Sequence, residues 1–291
     1  MKKYIFLLIV FFPLFGIAQD TNTLVVVSGQ EASLKYNQGL QSFSEKKYDE
    51  AISYFSEAIK LDPNFEKAYY NRGSVRLEMK EYEGAILDFE KAIMINPSLE
   101  KAFFSKAYAE LNKGLYEEAV YDFNAAIQLS YSEANVYYYK GVALFQLNKY
   151  DEAEAAFSEA INKNEEYVYA YNDRAATRRM IGKYIDAEQD YNKAIALDNN
   201  QHAFIYNNRG TLKRDFLKNF DDAIADYSLA LSVEPNYVIA LNNRGRARYL
   251  NGDFSEVFNK RYTEYGIEDI NNDETDELLI IRLDKIEGKS S

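Results

Sequence analysis

An alanine recurs along this chain at a fixed interval. Ala51, Ala85, Ala119, Ala153 and Ala187 stand 34 residues apart, the step to Ala223 is 36, and Val257 follows after another 34. Three residues before each stands an aromatic: Tyr48, Tyr82, Tyr116, Tyr150, Tyr184, Phe220 and Phe254. Four after comes a ring (Phe55, Phe89, Phe123, Phe157, Tyr191, Tyr227), and seven after another alanine (Ala58, Ala92, Ala126, Ala160, Ala194, Ala230). Offsets of four and seven lie on one face of an α-helix, so each copy contains an amphipathic helix. Its face alternates small and large side chains. The alanines admit a neighbouring helix, and each buried ring contributes about 1.5–3 kcal/mol.

Upstream of each such helix lies a second apolar-periodic stretch with its own small residue: Gly39, Gly73, Ala107, Gly141, Ala175, Gly210 and Gly245. Glycine inside a helix costs about 1 kcal/mol against alanine. Its repetition at one place therefore calls for close helix–helix contact there. Pro63, Pro97 and Pro235 sit just past the second helix, where proline ends a helix cleanly. Each unit is thus two antiparallel helices joined by a short turn. No unit can bury its apolar face alone, so the copies have to stack.

This small–aromatic–alanine–proline pattern resembles the tetratricopeptide repeat. The units run Ala32–Phe65, Glu66–Leu99, Glu100–Glu133, Ala134–Tyr167, Val168–His202 and Ala203–Tyr237, with a degenerate seventh from Val238. The family's usual Trp is replaced by Tyr69, Phe103, Tyr137, Tyr171, Tyr206 and Leu241. The resemblance implies an all-α fold, a right-handed superhelix of about seven helix-turn-helix repeats over residues 32–262. Residues 263–291 read as an acidic loop and a C-terminal capping helix, with Leu278, Leu279, Ile281 and Leu283 as its apolar stripe. Unit six carries one extra residue in its inter-helix turn, and another precedes it near Asn199–His202; both predict local irregularities.

Residues 1–18 read as a signal peptide: Lys2 and Lys3, an apolar run from Tyr4 to Phe15, then Gly16-Ile17-Ala18 as a small-x-small cleavage site. The run is shorter than the ~20 residues that span a bilayer. The mature chain is expected to be exported, periplasmic or secreted, without membrane insertion; a leader kept uncleaved as an anchor is the alternative. Residues 19–31 read as a linker, with Thr23 to Val27 extended or disordered.

The net charge of −12 argues against nucleic acid, which calls for a clustered basic face. Cysteine is absent and His202 is the only histidine, so thiol chemistry and a multi-histidine metal centre are excluded. His202 reads as a solvated loop residue. The acidic pairs Asp49-Glu50, Glu117-Glu118, Asp151-Glu152 and Asp221-Asp222 open second helices, where they complement the helix dipole. Asp269 to Asp273 begins like a calcium loop, but Glu274 and Ile280 stand where glycine and a bidentate carboxylate are needed. No cofactor, metal or catalytic constellation is expected.

The resemblance implies a ligand surface lined by the first helix of each unit. Its candidates are Tyr70, Asn71, Phe104, Tyr108 and Tyr138 in the first half, then Asn172, Arg179, Asn207, Asn208, Arg214, Asn242, Asn243 and Arg246. Asparagines can hold an extended peptide backbone, rings offer pockets and Arg suits acidic groups. Asn71 and Lys101 fit a chaperone-tail carboxylate clamp, but Tyr36, Leu40 and Ser105 stand where it needs Lys, Asn and Arg, which argues against that version. The expected function is a non-enzymatic scaffold binding a protein or peptide in the cell envelope. The alternatives are a small-molecule or glycan-binding accessory protein, or a subunit of an export or assembly complex.

Overall fold

The structure, a computed structural model, describes residues 21–252 and two short strands beyond them. Among the described residues, thirteen α-helices follow in order. The first compact unit ends at Pro97 and holds α1 (Thr21–Ser44), α2 (Tyr48–Leu61), α3 (Glu66–Glu78) and α4 (Tyr82–Ile95). The second begins at Ser98 and holds α5 (Glu100–Lys113), α6 (Tyr116–Gln128), α7 (Ala134–Gln146), α8 (Tyr150–Lys163) and α9 (Val168–Met180). It continues with α10 (Tyr184–Asp198), α11 (Ala203–Leu212), α12 (Phe220–Val233) and α13 (Val238–Asn251). Strands β1 (Tyr262–Thr263) and β2 (Gly266–Ile267) pair antiparallel, a hairpin that the sequence pattern does not announce.

The repeat pattern becomes the core directly. Ala51, Phe55 and Ala58 in the first unit, and the matching triplets down to Ala223, Tyr227 and Ala230 in the second, are buried. At Gly39 an added Cβ would lie 2.6 Å from the Phe55 ring, and at Gly141 2.7 Å from Phe157. The first helix of a repeat therefore rests its backbone on the ring of the second. Each first helix ends in a left-handed residue: Lys46, Lys80, Gly114, Asn148, Gly182, Lys218 and Gly252. The following N–H reaches back five residues, as in Lys47 to Ser42 O at 2.8 Å and Lys149 to Leu144 O at 2.9 Å, which satisfies end carbonyls and turns the chain. The second helices among the described residues start with acids in their first turn, and of these only α12 has a side-chain cap, Asn219 accepting from the Asp222 N–H.

Three expectations change. The supposed extended tether is helical, because α1 already runs from Thr21. Once a helix is nucleated further along, extending it through the valines costs only a fraction of a kcal/mol per residue, roughly 0.5. The extra residue of unit six does not lengthen the turn; it is taken up as a π-helical turn, Lys213–Leu217, continuing α11. At the other insertion, Asn199 and Asn200 are both left-handed and Asp198 accepts the Gln201 and His202 N–H groups, each at 2.8 Å. His202 is accordingly not a free loop residue: its ring lies between Asp198 and the Tyr169 hydroxyl. The signal peptide, the second helix of the seventh unit, the calcium-like stretch and the capping helix lie outside the described residues. Among the described residues, no helix is long and apolar enough to cross a membrane.

Candidate functional site

The first unit holds two of the candidate side chains. The Tyr70 ring packs at 5.7 Å from Phe89, and Asn71 donates to the Tyr36 hydroxyl and to Lys67 O, both at 2.9 Å. Both residues are partly covered. Asn71 is thereby engaged in linking α3 to α1.

In the second unit the first helices α5, α7, α9, α11 and α13, with the π-helical turn that continues α11, carry the other candidates. A tract of half-buried rings opens it. Phe104 stacks on Tyr131 at 4.8 Å, Tyr108 meets Tyr139 edge-on at 4.7 Å, Tyr139 touches Tyr138 at 5.2 Å, and Tyr138 touches Tyr167 at 4.9 Å. Such contacts are worth about 0.5–1.5 kcal/mol each beyond their burial. Burial pushes the Tyr138, Tyr139 and Tyr167 hydroxyls above the usual tyrosine range, so all three remain neutral donors.

The tract ends on a carboxylate. Tyr138 donates to Asp173 Oδ2 at 2.9 Å, and Asn172 donates to Asp173 Oδ1 at 2.8 Å. Asn208 in turn donates to Asn172 Oδ1 at 3.1 Å. Burial raises the Asp173 pKa, opposed by these two donors. A cavity of about 170 Å³ opens beside it, lined by Val142, Phe145 and Gln146 of α7, Phe157 of α8, and Asp173 and Ala176 of α9. The carboxylate thus borders an apolar recess large enough for one side chain. Asp173 was not among the sequence candidates. Its signal is register: it stands 34 residues after Tyr139 and in the place held by Asn71, Asn208 and Asn243 in other repeats.

Beyond Asp173 the polar side chains turn to one another. Asn243 donates to Asn207 Oδ1 at 2.9 Å and accepts from Arg214 at 2.7 Å. Arg214 is 4% exposed and grips Asp215 through two bonds, which draws the Asp215 carboxyl below its usual range. The Arg179 guanidinium lies over the Phe216 ring at 5.8 Å, and its buried Nε–H meets no acceptor among the described residues. Asn242 and Arg246 are exposed to solvent. The candidates therefore divide: an aromatic–carboxylate tract around a cavity, a set of braces between helices, and two exposed groups. No cluster of three or more His, Asp or Glu side chains among the described residues is arranged to hold a metal.

Family models described as tetratricopeptide repeat match residues 66–99, 104–167, 138–202 and 216–256, and one described as TPR repeat matches 39–80. The chain belongs to the tetratricopeptide-repeat family. Repeats of this family generally mediate protein–protein interaction, and the fold is generally non-enzymatic. No curated protein sequence matches the chain. Among solved structures, YrrB, described as a TPR protein with an unusual peptide-binding site, is similar with a TM-score of 0.56 at 21% identity, over 64% of this chain and 95% of its own. PilW, described as a widely conserved type IV pilus biogenesis factor, has a TM-score of 0.63 at 17% identity, covering 72% of this chain and 96% of its own. PilF of Pseudomonas aeruginosa has 0.62 at 18%, covering 76% and 99%. At these identities the likeness is one of fold.

Proposed function

We propose that this tetratricopeptide-repeat protein is a non-enzymatic scaffold that holds an extended segment of a protein partner along the first-helix face of its second unit. The observation that carries the reading is Asp173, a largely covered carboxylate at the edge of an apolar cavity, with rings leading up to it. Two donors leave lone pairs on Asp173 unused, and an incoming ammonium or guanidinium would offset the cost of its burial. A Lys or Arg side chain suits both parts: its stem lies against Val142 and Phe145, and its head meets the carboxylate. The leader-like residues 1–18 support export and action in the cell envelope.

A panel of extended peptides with Lys, Arg, Gln or Glu at one fixed position tests the site. Basic peptides should bind best, and Asp173→Asn should weaken them at least tenfold while helicity holds, since one charge-assisted bond is worth roughly 1.5–3 kcal/mol. No preference for a basic residue, or no loss in the variant, overturns the reading. Export is tested by N-terminal sequencing of the protein recovered from its cells, which should begin near Gln19; an intact Met1 would sink that part.

A further inference from the structure

Among the described residues, four repeats close the space between their two helices with a carboxylate held by cations of the first helix. In repeat two, Asp88 takes Arg72 and Arg76, each at 2.7 Å. Asp122 takes Lys106 at 2.9 Å in repeat three, and Asp190 takes Arg174 at 2.7 Å and Arg178 at 2.8 Å in repeat five. Asp226 takes Arg209 through Nε at 2.9 Å and Lys213 at 3.0 Å in repeat six. Repeat four keeps the cation and lacks the acid. Lys140 lies 34 residues from both Lys106 and Arg174, but the place of Asp122 and Asp190 is filled by Ala156.

A recess of about 500 Å³ lies at this place, lined by Tyr137, Lys140 and Leu144 of α7 and by Glu152, Ala156 and Glu159 of α8. Lys140 is partly buried and has no carboxylate within ion-pair distance among the described residues; burial lowers its pKa, and Glu152 opposes this only through space. Lys163 stands over the Tyr137 ring at 5.9 Å. At 100° per residue Lys140 is about 200° around α7 from Val142, so this recess and the Asp173 cavity are on different faces.

We propose that the recess is a second docking site, which receives an Asp or Glu side chain of a partner protein in the place the other repeats fill themselves. The carboxylate would pair with Lys140 above Ala156. Glu152 and Glu159 at the rim disfavour a polyanion and favour an acidic residue carried next to a basic one. This site stands whether or not the Asp173 cavity binds anything.

The test follows the Lys140 side-chain NMR signal in the full chain, assigned by its loss in Lys140→Gln, against three probes: Ac-Lys-Ala-Glu-Ala-NH2, its Gln analogue and sodium acetate. The Glu peptide should shift the signal saturably, and the Gln analogue should bind at least tenfold more weakly. Ala156→Asp, which supplies the acid from within the chain, should start near the shifted position and lose at least tenfold in peptide affinity. Lys140→Gln, read through the fluorescence anisotropy of labelled peptide, should lose it as well and does not depend on how Ala156→Asp folds. Equal response to the Glu and Gln peptides, or unchanged affinity in either variant, overturns the proposal. Acetate binding as tightly as the peptide would make this a small-anion site and overturn the partner assignment. A shift that grows with protein concentration alone would do the same in favour of a second copy of this chain.

Discussion

Asn243 and Asn207 join side chain to side chain across α13 and α11, amide to carbonyl at 2.9 Å. The Asn243 oxygen is used as well, by Arg214 at 2.7 Å, and Asn208 joins Asn172 in the same way at 3.1 Å. Side chains with the right chemistry to hold a partner's backbone are thus spent holding successive first helices at hydrogen-bond separation. Their contribution to binding is indirect. They set the spacing of α9, α11 and α13, the part of the face that continues from Asp173.

Removing one brace leaves partly buried polar groups without partners, which costs about 1–3 kcal/mol per orphaned group. Asn243→Ala should therefore lower stability by about 1–2 kcal/mol, seen as a lower urea midpoint with an unchanged slope. Asn242→Ala, next to it but exposed, should stay within about 0.5 kcal/mol. Equal effects at the two positions would mean that the ladder is not a brace.

The scaffold was legible because its residues repeat. Ala51 and its successors, the ring four residues on and the glycine before them are constrained by packing, and packing is the same in every copy. The site was legible only in part, because it lies where copies differ. Asn207 and Asn243 look like free donors until the neighbouring helix, 36 residues away, is seen to use them. Asp173 is one acid among 46 Asp and Glu and carries no local mark, since its burial depends on Tyr138 from the previous repeat. The tether was misread for a related reason. β-Branched residues lower helix propensity weakly, by a few tenths of a kcal/mol, and the helix they extend is visible only in three dimensions.

The glycine register gives an internal comparison. At Gly141 a Cβ would lie 2.7 Å from Phe157, while repeats three and five accommodate Ala107 and Ala175 over Phe123 and Tyr191. Gly141→Ala should destabilise by about 1–3 kcal/mol through overpacking, less up to ~1 kcal/mol regained in helix propensity. A gain of stability in chemical denaturation would show that Phe157 moves aside freely.

Asp190 sits between Arg174 and Arg178 with only 6% of its side chain exposed. Truncation strands two guanidiniums at 14% and 19% exposure, so Asp190→Ala should cost about 3–5 kcal/mol, the range for breaking a buried pair from one side. Arg178 also bonds Glu154 at 2.8 Å, which should hold the loss toward the lower end. A double change, Asp190→Leu with Arg174→Met, should recover much of it, because a buried pair exchanged for apolar side chains is often neutral. Failure of the double variant to exceed Asp190→Ala in melting temperature would count against desolvation as the cause.

Glu110 predicts a pH dependence that runs opposite to that of an ordinary paired acid. It is 3% exposed, its Oε2 has no hydrogen-bond partner among the described residues, and it shares Lys106 with Asp122. Lys106 stands 3.4 Å from Glu110 and 2.9 Å from Asp122, so the aspartate takes most of the charge. Burial first, and repulsion from Asp122 second, push the Glu110 carboxyl up to about 8 from 4.5. The folded chain then keeps a proton that the unfolded chain gives up, so this group's contribution falls as pH rises from about 4.5 to 8. Glu110→Gln fixes the neutral form. Its stability, read as melting temperature, should match that of the parent below pH 4.5 and exceed it increasingly toward pH 8, the gap corresponding to about 1 kcal/mol or more once solvent screening is allowed for. A gap between Glu110→Gln and the parent that is constant across the range, or that widens on the acid side, would mean that Glu110 is ionised in the folded chain and that Lys106 satisfies both carboxylates.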